Sequence, residues 1–236
     1  MSSLAMITAR GGSKRIPRKN IQEFCGKPIL LYSIEAALCS GVFDEVMVST
    51  DNAEIAALAR RSGAAVPFLR SEKTAGDYAS TDEVIAEVLD RYAQEGRRFD
   101  RFACLYPTAP FLTPARLREA MALLDAHESV MPVVAYSYPP QRSVVIREGR
   151  LVRCFPEYLN ARSQDLERFY HDCGQFYCCR TEAFLRDLTT DVEDLAPLIL
   201  GEQEVQDIDT PEDWRIAEEK YRRLHPAFDA AHSSDA

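Results

Sequence analysis

The chain has 236 residues, 46% of them hydrophobic, which is enough for one sizeable α/β domain. Its 28 Lys and Arg stand against 37 Asp and Glu, and a net charge of −9 argues against nucleic acid or an anionic membrane surface as a partner. The seven Cys follow no disulfide or zinc spacing and no apolar run reaches bilayer length, so reduced thiols in a cytoplasmic, membrane-free protein are expected.

Leu4 to Ala9 is an apolar run of strand length. Behind it Arg10, Gly11, Gly12, Ser13, Lys14, Arg15, Arg18 and Lys19 pack five cations and two glycines into one loop. Cations this dense repel one another unless an anion neutralises them. Glycine backbone lets N–H groups approach that anion closely. Strand, Gly-rich basic loop and helix is an arrangement that holds phosphate at the carboxyl end of a parallel strand. The loop has neither Walker nor G-x-G-x-x-G spacing, and a solvated basic turn is the alternative reading.

Pro28 suits the first turn of a helix carrying Leu30, Ile34, Ala37 and Leu38, with Gly41 as its stop. Glu45 to Thr50 reads as a strand ending in Asp51. Ile55, Leu58 and Ala59 mark a helix, and Val66 to Leu69 a third short strand. Arg70, Asp77, Ser80 and Thr81 lie in the loop that follows. Asp82 is the expected cap of a helix with Ile85, Val88, Leu89 and Tyr92 on one face.

Phe102 to Tyr106 is a fourth strand, and Thr113-Pro114 opens a helix through Leu117, Ala120, Met121 and Leu124. Val130 to Ala135 is a fifth strand. This alternation predicts a mostly parallel sheet flanked by helices, with ligands beyond the carboxyl ends of its strands. Ser143 to Arg147 and Leu151 to Phe155 read as a hairpin that leaves the sheet. A short helix is expected from Thr181, a last strand over Glu204 to Ile208, and a final helix capped at Thr210 with Trp214, Ala217, Tyr221 and Leu224 facing the core.

Two groups could carry chemistry. Asp207 and Asp209, two apart on the expected strand, share one face. They are either Mg²⁺ ligands or a solvent-facing pair with Asp209 assisting the cap. Asn160 to Tyr177 collects Arg162, Gln164, His171, Gln175 and Tyr177, donors of the kind that read a carboxylate, amides and hydroxyls. His171 alone would more often be structural.

The run ARGGSKRIPRKNI at 9 to 21 resembles the cytidylyltransferases that activate nonulosonic acids, the CMP-sialic acid synthetase family. Ser49-Thr50-Asp51, Leu69-Arg70 with Ala75-Gly76-Asp77, Arg162 to Tyr177 and Asp207 to Thr210 extend the resemblance along most of the chain. It implies a Rossmann-like nucleotidyltransferase domain over 1–228 and a protruding segment at 137–160 that makes a homodimer; the tail at 229–236, small and polar, is expected to be flexible. It further implies that Arg10, Gly11, Gly12, Ser13 and Lys19 cradle the CTP phosphates, with Asn20, Arg70, Asp77 and Thr81 at the nucleotide. Arg10, Lys19 and Asp209 would be catalytic, and Asp207 and Asp209 would hold Mg²⁺. Tyr106, Gln141, Arg162, Gln164, His171, Gln175 and Tyr177 would meet an acidic nine-carbon sugar.

Tyr106 stands where sialate enzymes carry Gln, Ala109 where they carry Ser, and Arg15 where Gly is usual. With Gln141-Arg142, these features point to the pseudaminate branch. A sialate or legionaminate enzyme, or a nucleotide-binding sensor without turnover, are the alternatives.

Overall fold

Leu4, Ala5, Met6 and Ile7 are wholly buried, because the strand they build, β1 (Ser3–Thr8), is covered on both faces. The computed structural model describes residues 1–76 and 78–226. After β1 come the basic loop, the two-residue strands β2 (Glu23–Phe24) and β3 (Lys27–Pro28), and α1 (Leu30–Ser40). The alternation continues through β4 (Glu45–Ser49), α2 (Ala53–Arg61), α3 (Glu72–Ala75), α4 (Thr81–Gln94), β5 (Arg101–Leu105), α5 (Pro114–Leu123) and β6 (Ser129–Ala135). Beyond it lie the hairpin β7 (Val144–Arg147) and β8 (Arg150–Arg153), then β9 (Tyr170–Asp172), β10 (Phe176–Arg180), α6 (Thr181–Asp187), β11 (Leu195–Leu200) and α7 (Pro211–Leu224).

Among the described residues one seven-stranded sheet runs β11-β6-β10-β5-β1-β4, with β9 also on β6. β1 is parallel to β4 and β5, and β11 to β6, whereas β10 lies antiparallel between β5 and β6. The mixed α/β architecture with a mainly parallel sheet is therefore as expected. One apolar layer joins Ala5 and Ile7 to α1, α2 and α5, and the other joins Leu4 and Met6 to α4 and α6.

Local chemistry sets the helix starts. Asn52 accepts from the Glu54 and Ile55 N–H groups, and Thr113 and Thr210 cap α5 and α7 ahead of a proline. The cap of α4 is Ser80, in a capping box with Glu83, not Asp82, which sits in the first turn where its charge suits the helix dipole.

Several other expectations are corrected. Pro28 pairs with Glu23 in the β2–β3 turn instead of opening α1. Val66 to Leu69 is not a strand; nearby, Ala65 bridges Met47, and the chain crosses towards Arg70. Glu204 to Ile208 does not join the sheet; its first residue ends a 3-10 turn, and the edge strand is β11. Leu224 is 41% exposed and does not face the core. The hairpin forms, with every side chain of both strands exposed. Asp77, the boundary at 228 and the tail lie outside the described residues.

Candidate active site

A cleft of about 630 Å³ opens at the carboxyl ends of β1 and β5. Arg10, Ser13, Lys19, Asn20, Arg70 and Thr81 line it, and Tyr106, Asp207 and Asp209 complete the set of anticipated residues there. The basic loop is held at two points. Asn20, buried, donates its side-chain amide to the Arg10 carbonyl at 2.8 Å. The Gly11 N–H donates to Asp51 at 2.8 Å, tying the loop to the end of β4. Gly11 must be small, because a Cβ there would lie 2.9 Å from the side-chain nitrogen of Asn52, the residue whose Oδ1 caps α2. Gly12 has open space around its Cα.

The acids and the loop share a third apolar cluster. Ile16 from the loop and Ile208 from between the two acids pack with Phe24, Phe111 and Trp214. Burying Ile208 turns Asp207 and Asp209 to the cleft, which is the alternation anticipated from sequence although no sheet ladder supports it. Other groups hold the segment before the acids. Lys220 donates to the Glu202 carbonyl at 2.7 Å and to the Val205 carbonyl. The buried Gln175 amide donates to the Glu204 carbonyl at 2.6 Å, and Arg116 grips the Glu204 carboxylate with two bonds of 2.9 Å.

Cations and acids meet directly. The Lys19 ammonium donates to the Ile208 carbonyl and lies 3.6 Å from Asp209, whose same oxygen takes the Arg15 guanidinium at 2.8 Å. Burial lowers the Lys19 pKa against the pull of both acids. Burial, then repulsion from Asp209, pushes Asp207 above the usual carboxylate range. Arg70 is buried and donates to the Ser49 carbonyl at 2.7 Å and to its hydroxyl at 3.1 Å, and desolvation lowers its pKa.

The residues anticipated at the sugar are more scattered. Tyr106 faces the cleft, with its ring edge-on to Tyr177 at 5.8 Å. Gln175 is buried and supports the acidic segment, while its carbonyl accepts from the Tyr106 N–H at 2.9 Å. Gln141 is buried with its amide on the Glu167 carbonyl. Arg162 and Gln164 are exposed outside this cleft, with Arg162 on Asp165 at 2.8 Å, and His171 is exposed against Tyr136. Reading the sequence missed Lys220 and Arg116. Both sit on helix faces and act on groups distant in sequence, backbone carbonyls for Lys220 and the Glu204 carboxylate for Arg116, pairings that no local spacing encodes.

The chain matches the model of the cytidylyltransferase family over residues 4–148. A pseudaminic acid cytidylyltransferase of Campylobacter jejuni subsp. jejuni serotype O:2 is 39% identical over 228 residues, covering 95% of this chain and 98% of that protein. A CMP-N,N'-diacetyllegionaminic acid synthase of Legionella pneumophila is 36% identical over 228 residues, covering 92% and 95%. A solved CMP:2-keto-3-deoxy-manno-octonic acid synthetase complexed with CTP superposes with a TM-score of 0.69 at 18% identity, over 95% of this chain and 100% of that one, a likeness of fold. The earlier resemblance is upheld: the chain belongs to the cytidylyltransferase family.

Proposed function

We propose that the protein transfers CMP from CTP to pseudaminic acid, giving CMP-pseudaminic acid and pyrophosphate. The observation that carries this reading is the convergence of the cationic 10–19 loop and the Asp207–Asp209 pair on one cleft. The name of the 39% identical relative supports the choice of sugar. The loop cations, Lys19 and Arg10 first, neutralise the triphosphate and fix its orientation. The anomeric hydroxyl then attacks the α-phosphorus in line, losing its proton to solvent and forming the new O–P bond as the α–β bridging bond breaks and pyrophosphate leaves.

The donor set suits Mg²⁺: two hard carboxylates face one cleft, and their mutual repulsion is relieved by a cation between them. Among the described residues no cluster of three or more His, Cys, Asp or Glu could hold a metal, so phosphate and water oxygens would complete its shell. Held by Asp207 and Asp209, Mg²⁺ would supply charge neutralisation and polarise the attacking hydroxyl.

The reading extends to a cytoplasmic homodimer built through the hairpin. All seven Cys are free, five of them buried. Among the described residues no helix is long and apolar enough to cross a membrane.

Pyrophosphate release and CMP-sugar formation on mixing with CTP, Mg²⁺ and each of a panel of nonulosonic acids test the reaction. Asp209→Asn should remove on the order of 3–5 kcal/mol of transition-state stabilisation. No product with any acid, or wild-type turnover for Asp209→Asn at saturating Mg²⁺, counts against the assignment.

A further inference from the structure

The segment that carries Asp207 and Asp209 has no sheet ladder to fix its height. After the 3-10 turn at Glu202–Glu204 it runs extended at Val205 and reaches the cap of α7 at Thr210. Side chains from elsewhere take its backbone carbonyls instead. Lys220 donates to those of Glu202 and Val205, Lys19 to that of Ile208, and Gln175 to that of Glu204. A backbone satisfied in this way sits where its side-chain donors put it.

Glu204, three residues before Asp207, is held at every polar group. Its N–H donates to the Gly201 carbonyl at 2.9 Å, and its carboxylate accepts the Gly201 N–H at 2.8 Å. Arg116 of α5 adds one bond of 2.9 Å to each carboxylate oxygen, from Nε and from Nη2. These bonds hold the Glu204 carboxyl below its usual range, so it stays charged near neutral pH. The last attachment is Gln175, whose amide donates to the Glu204 carbonyl at 2.6 Å. The Gln175 carbonyl takes the Tyr106 N–H at 2.9 Å, one step beyond the last β5–β10 pair. Gln175 thus joins the acid-bearing segment to the end of the sheet at which the cleft opens. The residue is 3% exposed and is not among those that line the cleft.

We propose that Gln175 and Arg116 are positioning residues that act through Glu204 to hold Asp207 and Asp209 in the geometry that binds Mg²⁺, and that Gln175 is not a sugar contact. This inference rests on the acid pair holding Mg²⁺, as proposed above. Mg²⁺ tolerates little departure from octahedral geometry, so a small displacement of either carboxylate weakens binding. Groups that orient metal ligands from behind typically carry roughly 10–100-fold in metal affinity or activity.

The test reads metal binding directly. Mn²⁺, a paramagnetic stand-in for Mg²⁺, is titrated into the whole protein with CTP present and sugar absent, and bound Mn²⁺ is followed by water proton relaxation. Asp209→Asn, the control, should weaken binding more than tenfold. Gln175→Met, similar in length but without a donor, and Arg116→Met should each weaken it about tenfold. In turnover both should raise the half-saturating Mg²⁺ by the same factor, with the KM for pseudaminic acid at saturating Mg²⁺ changed less than about twofold. If Gln175→Met lowers the Tm, Arg116→Met, on a side chain 30% exposed, decides the matter. Wild-type Mn²⁺ binding in Arg116→Met or Gln175→Met overturns the inference while the Asp209→Asn loss leaves the metal assignment standing. A raised sugar KM for Gln175→Met at saturating Mg²⁺ returns that residue to the sugar and overturns it too. Equal Mn²⁺ binding by wild type and Asp209→Asn removes the metal assignment and this inference together.

Discussion

Lys19 and Asp209 stand 3.6 Å apart across the cleft, with the Lys19 side chain only 17% exposed. The ammonium is half-desolvated and is held by the protein's own groups, a carboxylate and the Ile208 carbonyl. A preorganised cation acts best on charge that develops during reaction. Lys19→Ala should therefore lower kcat more than it raises the KM for CTP. A change confined to KM would make Lys19 a ground-state binder.

Glu87 offers a pH-dependent test of how α3, whose Thr74 lines the cleft, is held. Burial would raise its pKa, but hydrogen bonds from Thr74 and from the Ser71 hydroxyl and N–H outweigh it and hold the carboxyl below its usual value. A depressed carboxylate contributes stability above its unfolded pKa and loses it as pH falls through the folded one. Glu87→Gln should thus cost about 1 kcal/mol at pH 7, discounted for exposure. In a chain of this size that is about 3 °C in Tm. The deficit should shrink as the pH falls through the carboxylate range. Melting curves of both proteins at pH 7 and in that range check the sign, and a deficit that grows on acidification would refute it.

The parts legible in sequence were those with local signatures. The buried β1, the glycine-rich cationic loop, the Thr113 and Thr210 caps and the acid pair all declare themselves within a few residues. The parts that were not legible depend on distant partners. Phe176–Arg180 is a central strand because Leu105 and Val130 flank it from 46 or more residues away in sequence, yet its own segment reads as polar and aromatic. Asp207 and Asp209 share a face for a reason other than the one anticipated. Ile208 is pulled into the cluster of Ile16 and Trp214, and Lys220 and Gln175 replace the missing ladder.

The hairpin carries the association prediction. Ile146 is 76% and Leu151 72% exposed, and the two are cross-strand neighbours. Apolar pairs of this size are seldom left in water without a partner. Sedimentation at micromolar concentration should give a dimer, and Ile146→Asp with Leu151→Asp should give a monomer that retains its Tm. A wild-type monomer with full turnover would show that the hairpin serves another purpose.

The sugar preference follows from Tyr106. In sialate enzymes the resemblance places Gln at this position, a side chain that both donates and accepts. Here the position holds a phenol fixed to Thr81 and stacked edge-on against Tyr177. Its bulk changes the shape of the wall, and one amide contact is lost. A polar site matched to its substrate rejects an ill-fitting analogue by roughly 10³ or more. The kcat/KM for pseudaminic acid should exceed that for N-acetylneuraminic acid by this order under the same CTP and Mg²⁺. Tyr106→Gln should narrow the ratio mainly by weakening the preferred substrate, since one substitution does not rebuild the rest of the pocket. Equal values for the wild type, or a preference for N-acetylneuraminic acid, would place the protein elsewhere among the nonulosonate enzymes while leaving CMP transfer intact.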